Sequence, residues 1–304
     1  MTSPASRSTA LTTSITVFAP AKINLVLRIL DRRPDGYHNL WSLMQTVQLE
    51  DELELCRSDN HSTIILRCDE PSLKTDPSNL VYRAAAAVLE VSGLTVGLDM
   101  VLAKRIPMGA GLGGGSSDAA ATILGLNRLL NLGWSAEKMA HISQTLGSDV
   151  PFFFFAPSAI VEGRGEKVTP VRIKGNRWIV LVNPGFPVET KWAYQQLSLS
   201  RTGVQRLSDV HAELGKASDL VWEEVLQAAE NDFEATVFKA HPVLHTIKQT
   251  LLAKGAEAAL LSGSGATIFG VFRDEATARR AEAGFRTESH FKVYTVSTLS
   301  GSWS

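Results

Sequence analysis

The chain has 304 residues, 44% hydrophobic and 20% charged, which suits a packed core in one large or two smaller domains and excludes a largely disordered protein. Its formal net charge of −1 gives no basic excess for nucleic acid and no basic amphipathic segment for a membrane surface. No apolar run approaches the ~20 residues of a membrane span, and two cysteines, Cys56 and Cys68, are too few for a metal site or disulfide framework.

Residues 1–13 are rich in Ser and Thr, lack an apolar stretch and read as a disordered tail rather than a secretory signal. Strands are expected at 14–18 and 25–30, flanking a short loop, Ala19-Pro20-Ala21-Lys22-Ile23-Asn24. After the polar turn of 31–38, further strands are expected at 41–50, 52–56 and 63–68, the last two joined by a turn at Ser58-Asp59-Asn60. Cys56 and Cys68 fall in those last strands; one hairpin could bring them together, but reduced thiols in a cytoplasmic protein are the expectation. A helix follows over 79–92, closed by Gly93. An extended segment over 98–106 leads into a Gly-rich loop and a helix over 116–130. Ser135 is the expected N-cap of another helix reaching Leu146. Gly147-Ser148-Asp149-Val150-Pro151 breaks that helix, and the apolar run 150–156, with four consecutive Phe, reads as a buried strand. A turn at Gly163-Arg164-Gly165-Glu166, a strand at 178–182 and a helix from Thr190 come next. The polar stretch 198–218 has no clear pattern; helices are expected at 220–228 and 243–254. A small-residue loop, Ser262-Gly263-Ser264-Gly265-Ala266, then precedes a strand at 267–272, a helix at 275–284 and a strand at 292–296. Strands and helices mix without strict alternation, an α+β pattern with a boundary near residue 170.

The stretch Pro107-Met108-Gly109-Ala110-Gly111-Leu112-Gly113-Gly114-Gly115-Ser116-Ser117 holds five glycines among eleven residues. Ordering Gly is entropically costly, so this density implies a tight turn or the close approach of a ligand. A loop feeding a helix start aims free N–H groups and the positive helix end at one spot, which suits a phosphate. Gly109, Gly111 and Gly114 formally make a dinucleotide fingerprint, but the loop sits mid-chain, after a β-rich opening, with no acidic residue ending a following strand. Gly115 stands where the Walker lysine belongs. A turn made only for helix–strand packing is the bland alternative. Phosphoryl transfer also needs a cation and a group acting on the acceptor hydroxyl. Asp149 is a candidate base, or equally a turn or cap residue; Lys22 is a candidate cation, or an exposed structural lysine. Spacing alone does not bring them together.

Taken in order, Ala19-Pro20-Ala21-Lys22-Ile23-Asn24-Leu25, Asp35-Gly36-Tyr37-His38, the Gly-rich loop, Gly147-Ser148-Asp149-Val150-Pro151-Phe152 and Gly263-Ser264-Gly265 resemble the GHMP small-molecule kinases. The first and third of these segments are shared with homoserine, galactose and mevalonate kinases. The second and fourth, with Asn231-Asp232-Phe233-Glu234, are more specific to the branch whose acceptor is 4-diphosphocytidyl-2-C-methyl-D-erythritol. The resemblance implies a two-domain fold: a tail at 1–13, a ribosomal-protein-S5-like α/β domain at 14–170 and a ferredoxin-like α+β domain at 171–304. It implies ATP as phosphoryl donor with Mg²⁺, no nucleic-acid or membrane partner, Asp149 as general base and Lys22 as the cation beside it. Residues 107–117 would wrap the ATP phosphates, and Leu80 and Lys104, with Asn79, would border the nucleotide base. Asn24 would place the methylerythritol part. Tyr37 and His38 would engage the cytidine by stacking and hydrogen bonding. Gly263, Ser264 and Gly265 would close the site from the second domain. Ala110 stands where Gly is frequent in the family, and a negative φ is expected there. Phe186, Trp192 and Tyr194 are all available as a further wall for the cytosine. Ser117 and Glu162 are the metal-ligand candidates, neither preferred.

Overall fold

The computed structural model describes residues 14–34, 36–58, 62–201, 203 and 205–301. The expected tail, Asp35, and Asp59 and Asn60 of the expected turn lie outside the described residues. The first half runs β1 (Ser14–Arg32), β2 (His38–Ser58), β3 (Ile64–Cys68), α1 (Leu80–Ser92), β4 (Gly97–Ala103), α2 (Gly114–Leu129), α3 (Ala136–Ser143), a 3₁₀ turn (Pro151–Phe154), β5 (Ser158–Gly163), β6 (Lys167–Pro170) and β7 (Arg172–Lys174). The second half runs β8 (Trp178–Asn183), α4 (Thr190–Ser200), α5 (Asp209–Leu214), β9 (Asp219–Val221), α6 (Trp222–Gln227), β10 (Glu230–Asn231), α7 (Glu234–Ala240), α8 (Pro242–Ala253), β11 (Ala258–Leu261), β12 (Ile268–Phe272), α9 (Glu275–Ala283) and β13 (Lys292–Ser297).

The larger sheet has the order β10-β1-β2-β4-β3, with β5 paired to β2 and β6 to β5. The smaller is antiparallel, in the order β11-β12-β8-β13, which is the β-α-β-β-α-β arrangement of a ferredoxin-like unit. Helix α2 lies across β1 and β2 on its small-residue face. A Cβ on Gly125 would come within 2.3 Å of Leu55 Cδ1, so Gly there sets the close approach. Leu53 and Leu55 are fully buried beneath that helix layer, and each contributes about 1.5–3 kcal/mol by removal from water.

Several expected elements differ. The two opening strands and the loop between them form one strand, β1, with register shifts at Pro20/Ala21 and Asn24/Val26. Residues 19–27 are buried on both faces, so the alternation that marks a half-exposed strand is absent, and Pro20 falls at an irregularity where its missing N–H is tolerated. The strands expected at 41–50 and 52–56 are likewise one strand, β2. The Phe run is not a strand: Pro151–Phe154 is a 3₁₀ turn with Phe152 and Phe153 buried. Pro151 at its first position favours helical geometry, and an all-apolar run has no period to tell the two apart. Cys56 and Cys68 do not share a hairpin. Strand β4 lies between β2 and β3, which separates the thiols by about two strand spacings, beyond disulfide reach. The helix expected at 220–228 begins instead as β9 and turns helical only at Trp222.

Local signals fared better. Asn79 caps α1, its side chain accepting from the Val81 N–H at 2.8 Å, and Gly93 closes that helix at φ 67°. Ser135 caps α3, although the helix ends at Ser143 rather than Leu146.

Candidate active site

The cavity between the two sheets has a volume of about 1810 Å³. That exceeds the roughly 300–1,000 Å³ typical of one small-molecule site, so two substrates can be held at once. Its floor is the Gly-rich loop joining β4 to α2. Gly113 stands at the N-cap of α2 with no side-chain cap bond, so the first-turn N–H groups are available to an anion. Ala110 is buried and does not take a positive φ, as expected. Residues 107–116 all line the cavity, but Ser117 does not. It is fully buried in the first turn of α2, where helical rotation carries it away from the opening, and its Oγ has no hydrogen-bond partner among the described residues.

Two glycines explain how the loop is seated. A Cβ on Gly111 (φ 76°) would lie 2.0 Å from the Ser262 carbonyl oxygen, and one on Gly113 (φ 71°) 2.9 Å from Lys22 Cγ. The loop at 262–266 thus presses directly on the Gly-rich loop. The Ser262 hydroxyl donates to Gly111 O at 2.9 Å, and the Thr267 N–H donates to Ala110 O at 3.2 Å. Gly263, Ser264 and Gly265 line the cavity from this side, and the Ser264 hydroxyl lies 3.0 Å from that of Thr190 at the start of α4.

Lys22 is on strand β1, not in a loop. Its backbone N–H donates to Leu112 O at 2.9 Å, and its Nζ donates to Asn24 Oδ1 at 2.7 Å. Asn24 in turn donates to the Ser42 hydroxyl at 2.9 Å, and Ser42 to Val26 O at 2.6 Å. This chain of bonds orients a buried ammonium. Asp149, in the turn after α3, places Oδ2 3.4 Å from Lys22 Nζ. The two residues that spacing left apart are therefore neighbours at the cavity wall.

At the far end, His38 stacks on Tyr194 with ring centroids 5.0 Å apart, and its Nε2 lies 3.0 Å from the Ser198 hydroxyl. Burial, with Arg32 adding and Asp31 opposing, lowers the His38 pKa below its ordinary value, which favours the neutral ring. Burial and the nearby Asp149 raise that of the Tyr194 hydroxyl. Tyr37 is exposed at the rim beneath the Arg164 guanidinium, 5.1 Å from the ring centroid. Of the three aromatics left open by the sequence, only Tyr194 lines the cavity; Phe186 and Trp192 pack against His241.

Leu80 and Lys104 border the opposite end. Lys104 Nζ bonds to Asp51 and, at 2.7 Å, to Asp118 Oδ2. Burial would lower the Lys104 pKa, but Asp118 and Asp51 outweigh it and the net shift is upward. Asp51 also accepts from the N–H groups of Arg105 and Ile106. Among the described residues Asp118 Oδ1 has no hydrogen-bond partner, and burial raises this carboxyl to about 7. Asp118 lines the cavity and was missed in the sequence, although it directly follows the Ser116-Ser117 pair. Glu162 is exposed on β5, outside the cavity. Among the described residues no helix is long and apolar enough to cross a membrane.

Comparison with known proteins agrees with this geometry. Residues 79–156 match the GHMP kinases N terminal domain and residues 212–289 the GHMP kinases C terminal domain. The chain is 43% identical to the 4-diphosphocytidyl-2-C-methyl-D-erythritol kinase of Geobacter metallireducens, over 94% of this chain and 99% of that protein. It is 41% identical to the protein of the same name from Syntrophus aciditrophicus, over 93% and 99% respectively. A crystal structure of 4-(cytidine 5'-diphospho)-2C-methyl-D-erythritol kinase superposes with a TM-score of 0.78 at 33% identity, covering 94% of this chain and all, 100%, of the other. Homoserine kinase from Cytophaga hutchinsonii, at 18% identity and a TM-score of 0.75 over 97% and 98% of the two chains, shares the fold. With its Gly-rich loop, its Lys22–Asp149 pair and relatives matched along nearly their whole length, the chain belongs to the GHMP kinase family and has its two-domain α+β fold.

Proposed function

We propose that this chain is an ATP-dependent kinase that phosphorylates the 2-hydroxyl of 4-diphosphocytidyl-2-C-methyl-D-erythritol, giving the 2-phosphate and ADP, in the non-mevalonate route to isoprenoid precursors. The observation that carries the reading is the position of the Lys22–Asp149 pair, between a phosphate loop on one side and the His38–Tyr194 stack on the other. A small aliphatic acceptor has no ring to meet that stack. The cytidine acceptor has one.

The chemistry follows from the placement. The triphosphate lies along residues 107–116, with its terminal phosphate near the N-terminus of α2 and its nucleoside toward Leu80 and Lys104. Asp149 takes the proton of the acceptor hydroxyl as the oxygen attacks the γ-phosphorus in line. Lys22, fixed by Asn24, offsets the negative charge that develops on that oxygen. Asn24 also faces the methylerythritol part. His38 and Tyr194 hold the cytosine, with Tyr37 at the rim. Loop 262–266 closes the donor side, and positioning supplies much of the rate.

The side chains do not make a metal cage. Among the described residues no group of three or more His, Cys, Asp or Glu converges on one point, and neither Ser117 nor Glu162 reaches the cavity. Mg²⁺, which would neutralise phosphate charge, fits here as an ion carried chiefly by the nucleotide's own oxygens, and no step above depends on a protein-held ion. We place the two domains at 14–170 and 171–304, one for each main sheet, and the reaction in the cytoplasm, where two thiols held apart on β2 and β3 would stay reduced.

A homoserine- or mevalonate-type specificity on the same fold is disfavoured by the His38–Tyr194 stack, and a non-catalytic nucleotide-binding role by the intact Lys22–Asp149 pair. The deciding experiment is ATP-dependent phosphorylation of the cytidine compound by the purified protein, with the product's position read by phosphorus NMR. A new phosphate on the 2-oxygen is expected; phosphorylation of homoserine but not of the cytidine compound would overturn the assignment.

A further inference from the structure

The segment Asn231-Asp232-Phe233-Glu234 takes no part in the chemistry above, yet its polar side chains bind the supports of the site. Asn231 is buried on β10, the two-residue strand that adds second-half chain to the large sheet, parallel to β1 at Leu27. Both N–H groups of its amide are used: Nδ2 donates to Leu261 O at 2.7 Å and to Gly263 O at 2.8 Å. Its Oδ1 accepts from the Phe233 N–H at 2.8 Å. Glu234, paired with Lys248, accepts from the Leu261 N–H at 2.9 Å. On the other side, Asp232 accepts from the Ile29 N–H at 2.6 Å and is held by Arg201 at 2.8 Å. The segment therefore grips β1, which carries Lys22, with one hand and the strand entering loop 262–266 with the other.

That loop is the one seated on Gly111 and Ala110 of the phosphate loop. It also faces Lys22: a Cβ on Gly263 would lie 3.5 Å from Lys22 Nζ. We infer that Asn231 is a positioning residue for phosphoryl transfer, which holds loop 262–266, and through it the phosphate loop, at a fixed distance from Lys22 on β1. The side chain suits this task chemically. An asparagine amide offers two donors and an acceptor at this length. An aspartate in its place could keep the bond from the Phe233 N–H through one oxygen, but its other oxygen would face the two carbonyls and leave both without a donor.

The catalytic half of this inference rests on the kinase reading above; the mechanical half does not. The test uses the full chain as Asn231→Asp, with Asn127→Asp as a control. Asn127 also donates to a backbone carbonyl, that of the partly buried Trp134, but at the far end of α2. By hydrogen exchange, Asn231→Asp is expected to speed the amides of 260–267 and also those of 107–117 by about tenfold or more, because both segments lose one shared anchor. The control should leave 107–117 as in the parent. In steady-state kinetics, kcat per bound fluorescent ATP analogue is expected to fall on the order of 100-fold, more than nucleotide affinity falls, as a misplaced but intact loop requires. Faster exchange confined to 260–267, or a kcat per bound nucleotide within about threefold of the parent, would overturn the inference. If Asn231→Asp yields no folded protein, Ser262→Ala removes the next link, and unchanged exchange at 107–117 in that variant would equally overturn it. A parent protein that does not phosphorylate the cytidine acceptor would remove the kinase reading alone, with the exchange result still deciding the coupling.

Discussion

Lys22 Nζ stands 3.4 Å from Asp149 Oδ2, joining strand β1, between two of its register shifts, to the turn after α3. The distance is that of an ion pair rather than a tight hydrogen bond, and the ammonium's 2.7 Å bond goes instead to Asn24. A fixed positive charge therefore sits beside Asp149 without a tight hydrogen bond to it. Asp149→Asn and Lys22→Ala are each expected to lower kcat by about 100-fold or more, the scale of lost acid–base and charge stabilisation. Nucleotide binding should survive in Asp149→Asn, because that side chain does not support the phosphate loop. Steady-state rates with a parallel nucleotide titration check both points, and near-normal turnover in Asp149→Asn would remove it from the base role.

The glycines of the Gly-rich loop are not equivalent. At Gly111, φ is 76° and an added Cβ would meet the Ser262 carbonyl oxygen at 2.0 Å. Gly115 has no such φ, and its added Cβ would meet only Leu80 Cδ1, at an ordinary 3.5 Å. Gly111→Ala must therefore separate the two loops and accept left-handed strain of about 1–2 kcal/mol. It should lower the melting temperature and weaken ATP binding by roughly tenfold or more, the equivalent of about 1.4 kcal/mol. Gly115→Ala should fold as the parent does and change ATP affinity far less. Equal effects at both positions would mean that loop-to-loop contact does not control the donor site.

Asp118 gives the fold a pH dependence of definite sign. Its burial, opposed by Lys104 and reinforced by Asp51, raises the carboxyl from 3.8 to about 7. Between those values the folded chain keeps a proton that the unfolded chain has lost. The contribution of this group to stability therefore falls as pH rises through that window, with a slope of at most about 1.4 kcal/mol per pH unit. The raised pKa of Lys104 fits the same picture, since one ammonium shared by two carboxylates leaves one negative charge in excess. Asp118→Asn keeps an oxygen for Lys104 and cannot ionise. Urea unfolding at pH 5, 6, 7 and 8 should show the variant gaining on the parent as pH rises; parallel profiles would exclude Asp118 as the source.

What the sequence made legible was local. The Asn79 and Ser135 caps, the Gly93 stop and the negative φ of Ala110 each depend on a few adjacent residues. Lys22 and Asp149 could be nominated, but their meeting depends on β1 running unbroken through Lys22, and double-sided burial hides that strand's period. The Phe run failed for a related reason: an apolar segment without a period does not declare its geometry. Asn231 lies on a two-residue strand, too short for any pattern, so only its bonds to Leu261 and Gly263 reveal what it holds. Ser117 shows the converse, a residue that motif position puts in the site and helical rotation takes out of it.

On the reading proposed above, Tyr194 is the aromatic that completes the acceptor end. It lies on α4 and stacks on His38 at 5.0 Å, while its ring is braced edge-on by Phe233 at 4.9 Å. Its neighbours Phe186 and Trp192 turn instead toward His241. Loss of the Tyr194 ring should therefore act on the acceptor and not on ATP. Tyr194→Ala is expected to raise KM for the cytidine compound by roughly tenfold or more, the worth of about 1–3 kcal/mol in base stacking, and to leave KM for ATP within about twofold, as loss of a contact confined to the acceptor side requires. Tyr194→Phe keeps the stacking face and should stay near the parent. Trp192→Phe, away from the cavity, should leave both constants near the parent values. A Tyr194→Ala variant with an unchanged acceptor KM, or with both constants raised equally, would mean that the cytosine is held elsewhere.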